Sequence, residues 1–294
     1  MHPESHNAAP STKNHASDSD PEPPVKPCRV LILGGGDIAS AVAHILHCRN
    51  LQVVLADKPG SGHARRGMAF TDAQFEGSAV LDGVEARWVA DCAGVEACWR
   101  EGTAIPLVTM PEHLLMAAFQ FDACIEATMR RYQTPPDVRA LAPQVVGIGP
   151  GYVPGVNCHI AIETQWGSHM GEVLRDREPA PRAGGPRALD GITRERFAVA
   201  PSAGLWRTQM KLGQAVASGD VVGHLAGVEI RAPITGRLRG LTRDGVEVAV
   251  NARLVEVDPR ETPQIFGQGE RPLMVARGVA NALGLDVSAN GDKR

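Results

Sequence analysis

The first sustained apolar run is Cys28-Arg29-Val30-Leu31-Ile32-Leu33, and it stops at Gly34-Gly35-Gly36. From Asp37 to Leu46 the apolar residues Ile38, Val42 and Ile45 recur at helical spacing, and Gln52 to Asp57 is again a short apolar run, closed by Lys58-Pro59-Gly60. This order predicts strand, turn, helix, strand. Further strands are predicted at Ala79-Leu81, Ala86-Val89, Ile105-Val108 and Ala123-Glu126, with helix-forming composition from Glu112 to Ala118 between the last two. Such alternation argues for a doubly wound α/β domain reaching to about residue 135.

After Thr134-Pro135-Pro136 the texture changes twice. Gln144-Val145-Val146-Gly147-Ile148-Gly149-Pro150-Gly151 reads as a strand feeding a second glycine loop. Val156 to Thr164 then alternates, which would set Asn157, His159, Ala161 and Glu163 on one strand face. Arg175 to Arg187 is rich in Pro, Arg and Gly and reads as a linker or long loop. From Phe197 to Val257 short β-like segments and glycine turns follow one another with almost no helical pattern, so a small β module is predicted there. Leu273 to Leu283 returns to helical spacing and is predicted to pack back as a helix, ahead of a polar tail. The predicted layout is therefore a tail at 1–27, a Rossmann-like domain at 28–135, a Gly-rich loop, strand and linker region at 136–195, a hammerhead-like barrel-sandwich module at 196–260, and a C-terminal helix and tail at 261–294.

Composition narrows the function classes. The chain has 294 residues, 43% of them hydrophobic, enough for real cores without covalent staples. A formal net charge of -3 supplies no clustered basic excess for a nucleic-acid partner. No uncharged run of about 18 apolar residues is present, so no membrane span is expected. The six cysteines include no C-x-x-C pair and follow no secretory segment, which points to free thiols and a cytoplasmic location. Residues 1–27, rich in Pro, Ser, Asp and His, carry too little apolar surface to offset ordering entropy. No metal site is expected, since Cys92 and Cys98 stand apart from any second pair of ligands.

The strongest candidate site is the first glycine turn. Gly34-Gly35-Gly36-Asp37-Ile38-Ala39 matches G-x-G-x-x-A, placed directly after a strand and opening a helix, with Asp57 closing the next strand. Small residues let the backbone approach a phosphate, the helix start offers free N–H groups, and an acid about 20 residues on can hold ribose hydroxyls. Asp37 brings a carboxylate to that spot, either to cap the helix or to stand where a pyrophosphate would sit. Arg65 and Arg66 can fork onto phosphate or merely begin a solvated helix. Gly147, Gly149 and Gly151 form either a backbone anion cradle or a tight turn. His159 and Glu163 would supply acid–base or pterin-binding groups beside a ligand cleft, and a solvent face otherwise. H-E-x-x-H, G-x-S-x-G and Walker A motifs are absent, which removes the ordinary hydrolase and NTPase readings.

Ala200 to Leu205, Leu212 to Val222 and Ile230 to Leu238 resemble the hammerhead of biotinyl and lipoyl domains, with its A-P-x-x-G and G-D turns. In a carrier the modified lysine would occupy the hairpin before the second A-P, where this chain has Leu225-Ala226-Gly227-Val228-Glu229. Lys211 lies upstream of the Gly-Asp turn, so neither biotin nor lipoate is expected.

Taken in order, GGGDIAS, ARRGMAF with FEG soon after, VVGIGPGYVPGVNCHIAIET followed by His169-Met170-Gly171, and APITGRLRGL leading to VDPR at Val257 to Arg260 resemble the YqeB-type family of selenium-dependent molybdenum hydroxylase system proteins, related in theme to the XdhC/CoxF maturation factors. The resemblance spans roughly residues 28 to 283. It implies a non-enzymatic accessory factor that matures or loads the cofactor of a molybdenum hydroxylase client, binding molybdopterin cofactor or a nucleotide, with a sulfur- or selenium-delivery protein as a further partner. Trp166 stands where the family is usually basic, and Asn157 replaces an acid. Two other classes stay open: an NAD(P)-dependent oxidoreductase using Asp57, and a non-catalytic scaffold.

Overall fold

The computed structural model describes residues 28–129, 134–181 and 185–285, so the expected N-terminal tail and the polar C-terminal stretch lie outside the described residues. The first half contains β1 (Arg29–Leu33), α1 (Asp37–His47), β2 (Gln52–Ala56), α2 (Ala73–Glu76), β3 (Ser78–Leu81), β4 (Val84–Trp88), α3 (Cys92–Glu101), β5 (Ala104–Val108), α4 (Glu112–Ala118) and β6 (Ala123–Glu126). Then come β7 (Gln144–Ile148), β8 (Ile160–Ile162), β9 (Val173–Leu174), β10 (Phe197–Val199), β11 (Gly204–Arg207), β12 (Ala215–Val216), β13 (Val221–Leu225) and β14 (Val228–Arg231). The chain continues with β15 (Gly236–Leu241), β16 (Glu247–Val248), β17 (Arg253–Asp258) and α5 (Glu270–Ala282).

Strands β1 to β9 form one nine-stranded sheet in the order β3-β4-β5-β2-β1-β6-β7-β8-β9. Its interior pairs are parallel, and both outermost pairs, β3 with β4 and β8 with β9, are antiparallel. Central β1 is apolar throughout its middle because helices cover both faces. One face packs on α1 and α5 through Ile38, Val42, Leu46, Val275 and Val279; the other carries Val95 of α3, Leu115 of α4 and the edge-to-face cluster of Trp99, Phe119 and Phe121. The remaining strands form two four-stranded sheets, β10-β17-β15-β12 and β14-β13-β11-β16, in which every pair is antiparallel, closed over Trp206, Leu238, Leu241 and Val255.

This arrangement corrects the expected fold class of a Rossmann-like domain followed by a hammerhead-like module. The first layer is a mixed sheet that does not end near residue 135: β7, β8 and β9 extend it through the segment read as Gly-rich loop, strand and linker, and α5 returns from the far end of the chain to cover it. Strand count and edge direction depend on pairings between distant segments, which local periodicity does not encode. α5 begins at Glu270, three residues ahead of the predicted start. α3 was not anticipated, although Asp91 caps it by accepting from the Gly94 N–H at 2.8 Å and Gly102 ends it at φ 68°. The segment 156–164 also departs from the predicted strand. It turns through Pro154 to Cys158, with Asn157 Oδ1 accepting from the Val153 N–H at 2.7 Å, and only Ile160–Ile162 pairs as β8.

Among the described residues no helix is long and apolar enough to cross a membrane. The hairpin between β13 and β14 turns on Ala226 and Gly227, both at positive φ (48° and 84°), as a two-residue hairpin loop with the right-handed strand twist requires. With no lysine at this tip, intact-mass analysis of protein from native cells is expected to show no biotinyl or lipoyl mass; an adduct mapped to Lys211 would overturn the expectation.

Candidate functional site

The first glycine turn is filled by the protein's own side chains. Gly34 sits at φ +111°, and a Cβ there would come within 2.9 Å of the Ala127 carbonyl oxygen. A Cβ on Gly35 would lie 2.2 Å from Asp57 Oδ2, so this glycine exists to let Asp57 reach the turn. Gly36, at φ -72°, faces the His63 ring, whose Nδ1 would stand 3.4 Å from an added Cβ. Ala39 is buried against the sheet. Asp57 is side-chain buried to 7% exposure and fully engaged: Oδ1 accepts from the Lys58 N–H at 2.9 Å and from Ser61 Oγ at 3.1 Å, while Oδ2 meets His63 Nε2 at 3.1 Å.

Arg65 departs from the expected phosphate fork. Its Nε and Nη2 donate to Glu256 at 2.7 and 3.0 Å, and Nη1 donates to Asp37 Oδ2 at 3.3 Å. Glu256, on β17 and wholly buried, also receives Arg239 Nη1 at 3.0 Å and Arg196 Nε at 3.3 Å. Burial pushes the Glu256 carboxyl up, but Arg65, Arg239 and Arg253 outweigh it and bring its pKa down to about 2. Burial would lower the Arg65 guanidinium, yet Glu256 and Asp37 hold it above its ordinary value. Burial and the neighbouring Arg65 charge lower Arg239. Next to this cluster, Asp258 takes Arg260 through Nε at 2.9 Å and Nη2 at 2.6 Å.

Of these groups, Asp37, His63, Arg65, Arg196, Arg239 and Arg260 line a cleft of about 1810 Å³ between the first sheet and the antiparallel sheets, with Glu256 and Asp258 buried behind them. Among the described residues around it are eight arginines and four carboxylates, so its wall is cationic. Asp37, His63, Arg65 and Gly151 of the sequence-derived candidates or their neighbours reach this wall, as do Tyr152 and Trp166. Trp166 stacks under the Arg187 guanidinium at 4.6 Å.

Other candidates lie apart from the cleft wall. Arg66 bridges Asp72 at 2.6 Å and the Leu241 carbonyl at 3.0 Å, tying the first sheet to β15. Gly147 packs flat against Tyr152, where a Cβ would sit 2.2 Å from the ring, and Gly149 faces Thr164 at φ +95°. Gly151, which does reach the wall, sits at φ +90° against Pro135. His159 is exposed and its Nδ1 accepts from the Val145 N–H at 3.0 Å. Glu163 is buried and holds a loop: Oε1 accepts from the Thr164 and Gln165 N–H groups at 2.6 Å each, and Oε2 from the Ala180 N–H at 2.7 Å. His159 and Glu163 therefore do not share a polar stripe.

Sequence reasoning missed Glu256, Arg239 and His63. Glu256 alternates within the apolar Arg253–Asp258 strand like any outward residue, and only its register beside Arg239 of β15 and Arg196, just ahead of β10, could have marked it. It also missed Glu126, buried at the end of β6, which accepts from the Tyr152 and Thr128 hydroxyls. Among the described residues no group of three or more His, Cys, Asp or Glu could hold a metal ion. All six cysteines are free thiols, and burial pushes Cys124 above its ordinary value and Cys158 up to about 11.

No protein-family model matches the chain. A curated relative, the uncharacterized protein YqeB of Escherichia coli (strain K12), is 32% identical over 256 residues, covering 86% of this chain and 47% of the relative. Across the matched stretch the chain is a member of the YqeB family, and it spans about half the length of that relative. Two solved structures align weakly. A succinylglutamate desuccinylase/aspartoacylase from Rhodobacter sphaeroides is 16% identical, covers 51% of this chain and 63% of its own, and gives a TM-score of 0.22. The product-bound ectoine utilization protein EutE (DoeB) from Ruegeria pomeroyi is 15% identical, covers 76% and 62%, and gives 0.24. Superposition this loose assigns neither a fold nor an activity to this chain.

Proposed function

We propose that the protein is an accessory factor in the maturation or cofactor loading of a molybdenum hydroxylase, holding molybdopterin cofactor or a nucleotide form of it in the cleft while it docks on the client. The observation that carries this reading is the arginine-lined cleft of about 1810 Å³. A phosphorylated pterin is flat, polar and anionic. Arg65, Arg196 and Arg239 bring three guanidiniums to the cleft around the single buried carboxylate of Glu256, and Trp166 with Arg187 gives it a stacking platform at the wall. The site is large enough for a nucleotide-bearing cofactor, since pockets for drug-sized ligands run to roughly 1,000 Å³. Selenium or sulfur delivery to the client belongs to the same proposal, with a sulfur- or selenium-delivery protein as the second partner.

The NAD(P)-dependent alternative is less well supported. Both oxygens of Asp57 are already engaged, and Asp37 with Arg65 stands where a pyrophosphate would meet the glycine turn. Titration of the purified protein with molybdopterin, NAD and NADP separates the readings. Molybdopterin is expected to bind most tightly, and Arg239→Gln to weaken it about ten- to hundredfold, the effect of one charge-assisted contact. Tighter binding of NAD or NADP would replace this reading with the oxidoreductase, and binding of none of the three would leave the scaffold.

A further inference from the structure

Two arginines that line the cleft each keep one donor corner without use. Arg196, just ahead of β10, and Arg239, on β15, stand on either side of β17 and both reach Glu256: Arg196 Nε donates to Oε1 at 3.3 Å and Arg239 Nη1 to the same oxygen at 3.0 Å. The two guanidiniums are therefore neighbours across one carboxylate oxygen. The rest of each is pinned. Arg196 Nη1 donates to the Ile192 and Thr193 carbonyls at 3.0 and 2.5 Å, with Phe197 covering its face at 4.4 Å, and Arg239 Nε donates to the Gln264 carbonyl at 3.0 Å. What remains is Nη2 on both. That of Arg196 takes no hydrogen-bond partner among the described residues, and that of Arg239 meets only the Met68 thioether, at 4.0 Å. Their side chains are 2% and 12% exposed, yet both residues line the cleft.

A buried donor without an acceptor costs free energy, and native structures leave few of them. The charges around this pair do not cancel either. Arg65, Arg196 and Arg239 share Glu256, and Asp37 pairs with Arg65, so three cations face two carboxylates. Asp258 lies 3.8 Å from Arg239 but is taken by Arg260 through two hydrogen bonds. An anion would supply the missing acceptors and the missing negative charge at one place. Guanidinium donors lie in a fixed planar fork, and two forks side by side match a group with several acceptor oxygens. We propose that the Nη2 corners of Arg196 and Arg239 form a subsite for a dianionic tetrahedral oxyanion of the phosphate kind. The group can be the phosphate ester of a bound cofactor or a free inorganic oxyanion, which present the same oxygens. Binding is non-covalent and breaks no bond of the ligand. The inference rests on reading the cleft as a cofactor site, and it names the part of that cleft which takes the charge.

Calorimetric titration of the full chain with inorganic phosphate and with AMP, near pH 7.5 where a phosphate monoester is mainly dianionic, tests it against nitrate as a monoanion. The wild type is expected to bind phosphate and AMP at least tenfold more tightly than nitrate. Arg239→Gln and Arg196→Gln, shown to be folded by circular dichroism, are expected to weaken both about ten- to hundredfold, the effect of one charge-assisted contact. Arg239→Lys keeps the charge without the fork and is expected to lose less, and Arg196→Lys serves if Arg196→Gln does not fold. Arg207→Gln removes an exposed arginine paired with Asp244 outside the cleft and is expected to change nothing. AMP binding more tightly than phosphate assigns the ester, and phosphate binding as tightly as AMP assigns the free oxyanion. Nitrate matching phosphate, or a folded Arg239→Gln binding both probes like the wild type, overturns the proposal and leaves the cleft reading standing. If neither probe binds the wild type the proposal also falls, and the molybdopterin titration then decides the cleft reading by itself.

Discussion

Glu256→Gln is expected to destabilise the protein by about 3–5 kcal/mol, the usual cost of removing one member of a buried, hydrogen-bonded ion cluster. The variant keeps the side-chain volume, so the loss reports charge rather than a cavity. Arg196, wholly buried, and Arg65 and Arg239, largely buried, would remain around an amide that can accept through one oxygen only. The pH dependence has a definite sign. The Glu256 carboxyl falls from an ordinary 4.5 to about 2 in the folded protein, although burial alone would raise it, because Arg65 and Arg239 favour its ionised form. A depressed folded pKa stabilises above the unfolded value and is lost as pH falls through the folded one, so the contribution disappears between roughly pH 4.5 and pH 2. That shift corresponds to about 3 kcal/mol, in line with the cost of removing the charge. Urea unfolding of wild type and Glu256→Gln at pH 7 and pH 3 should show the gap narrowing at the lower pH. An equal gap at both values would show that the carboxylate charge is not what holds the cluster.

The second large effect is expected at Trp206, which is wholly buried at the centre of the antiparallel sheets. Its ring fills the space over Gly223, where a Cβ would meet the indole at 2.3 Å, and its Nε1–H donates to the Thr242 carbonyl at 2.9 Å. Trp206→Ala should cost about 3–5 kcal/mol through lost burial and the cavity left behind. Trp206→Phe keeps part of the ring but strands the Thr242 oxygen, and should cost less than the alanine variant. If thermal melts put the two variants level, the hydrogen bond rather than packing would dominate this core.

Both residues also position the site. Glu256 fixes the direction of Arg65 and Arg239 at the cleft, and Trp206 packs within the sheets that carry Arg196, Arg239 and Arg253 to it. A cofactor-binding defect in Glu256→Gln is therefore expected to exceed that of a surface arginine on the same wall, and the titrations described above measure it.

Local pattern was enough to determine much of this chain. The run from Arg29 to Ala56 forms the expected strand, glycine turn, helix and strand, and α4 and β6 fall on the predicted residues, because each covers a stretch where periodicity and flanking turn residues agree. The hairpin at Leu225 to Glu229 was placed by the resemblance to biotinyl and lipoyl domains, and its two-residue turn falls on Ala226 and Gly227. At 156–164 the alternation misled, because Asn157 and Cys158 are buried in a turn and both sides of β8 are covered, so polarity does not report strand direction. Tertiary structure alone decided the rest. Arg65 meets Glu256 across 191 residues of chain, Asp57 is captured by His63 rather than left open, and α5 crosses back to complete the first layer. Charges and helices find such partners through space, and a one-dimensional pattern records which residues are able to pair without recording which of them meet.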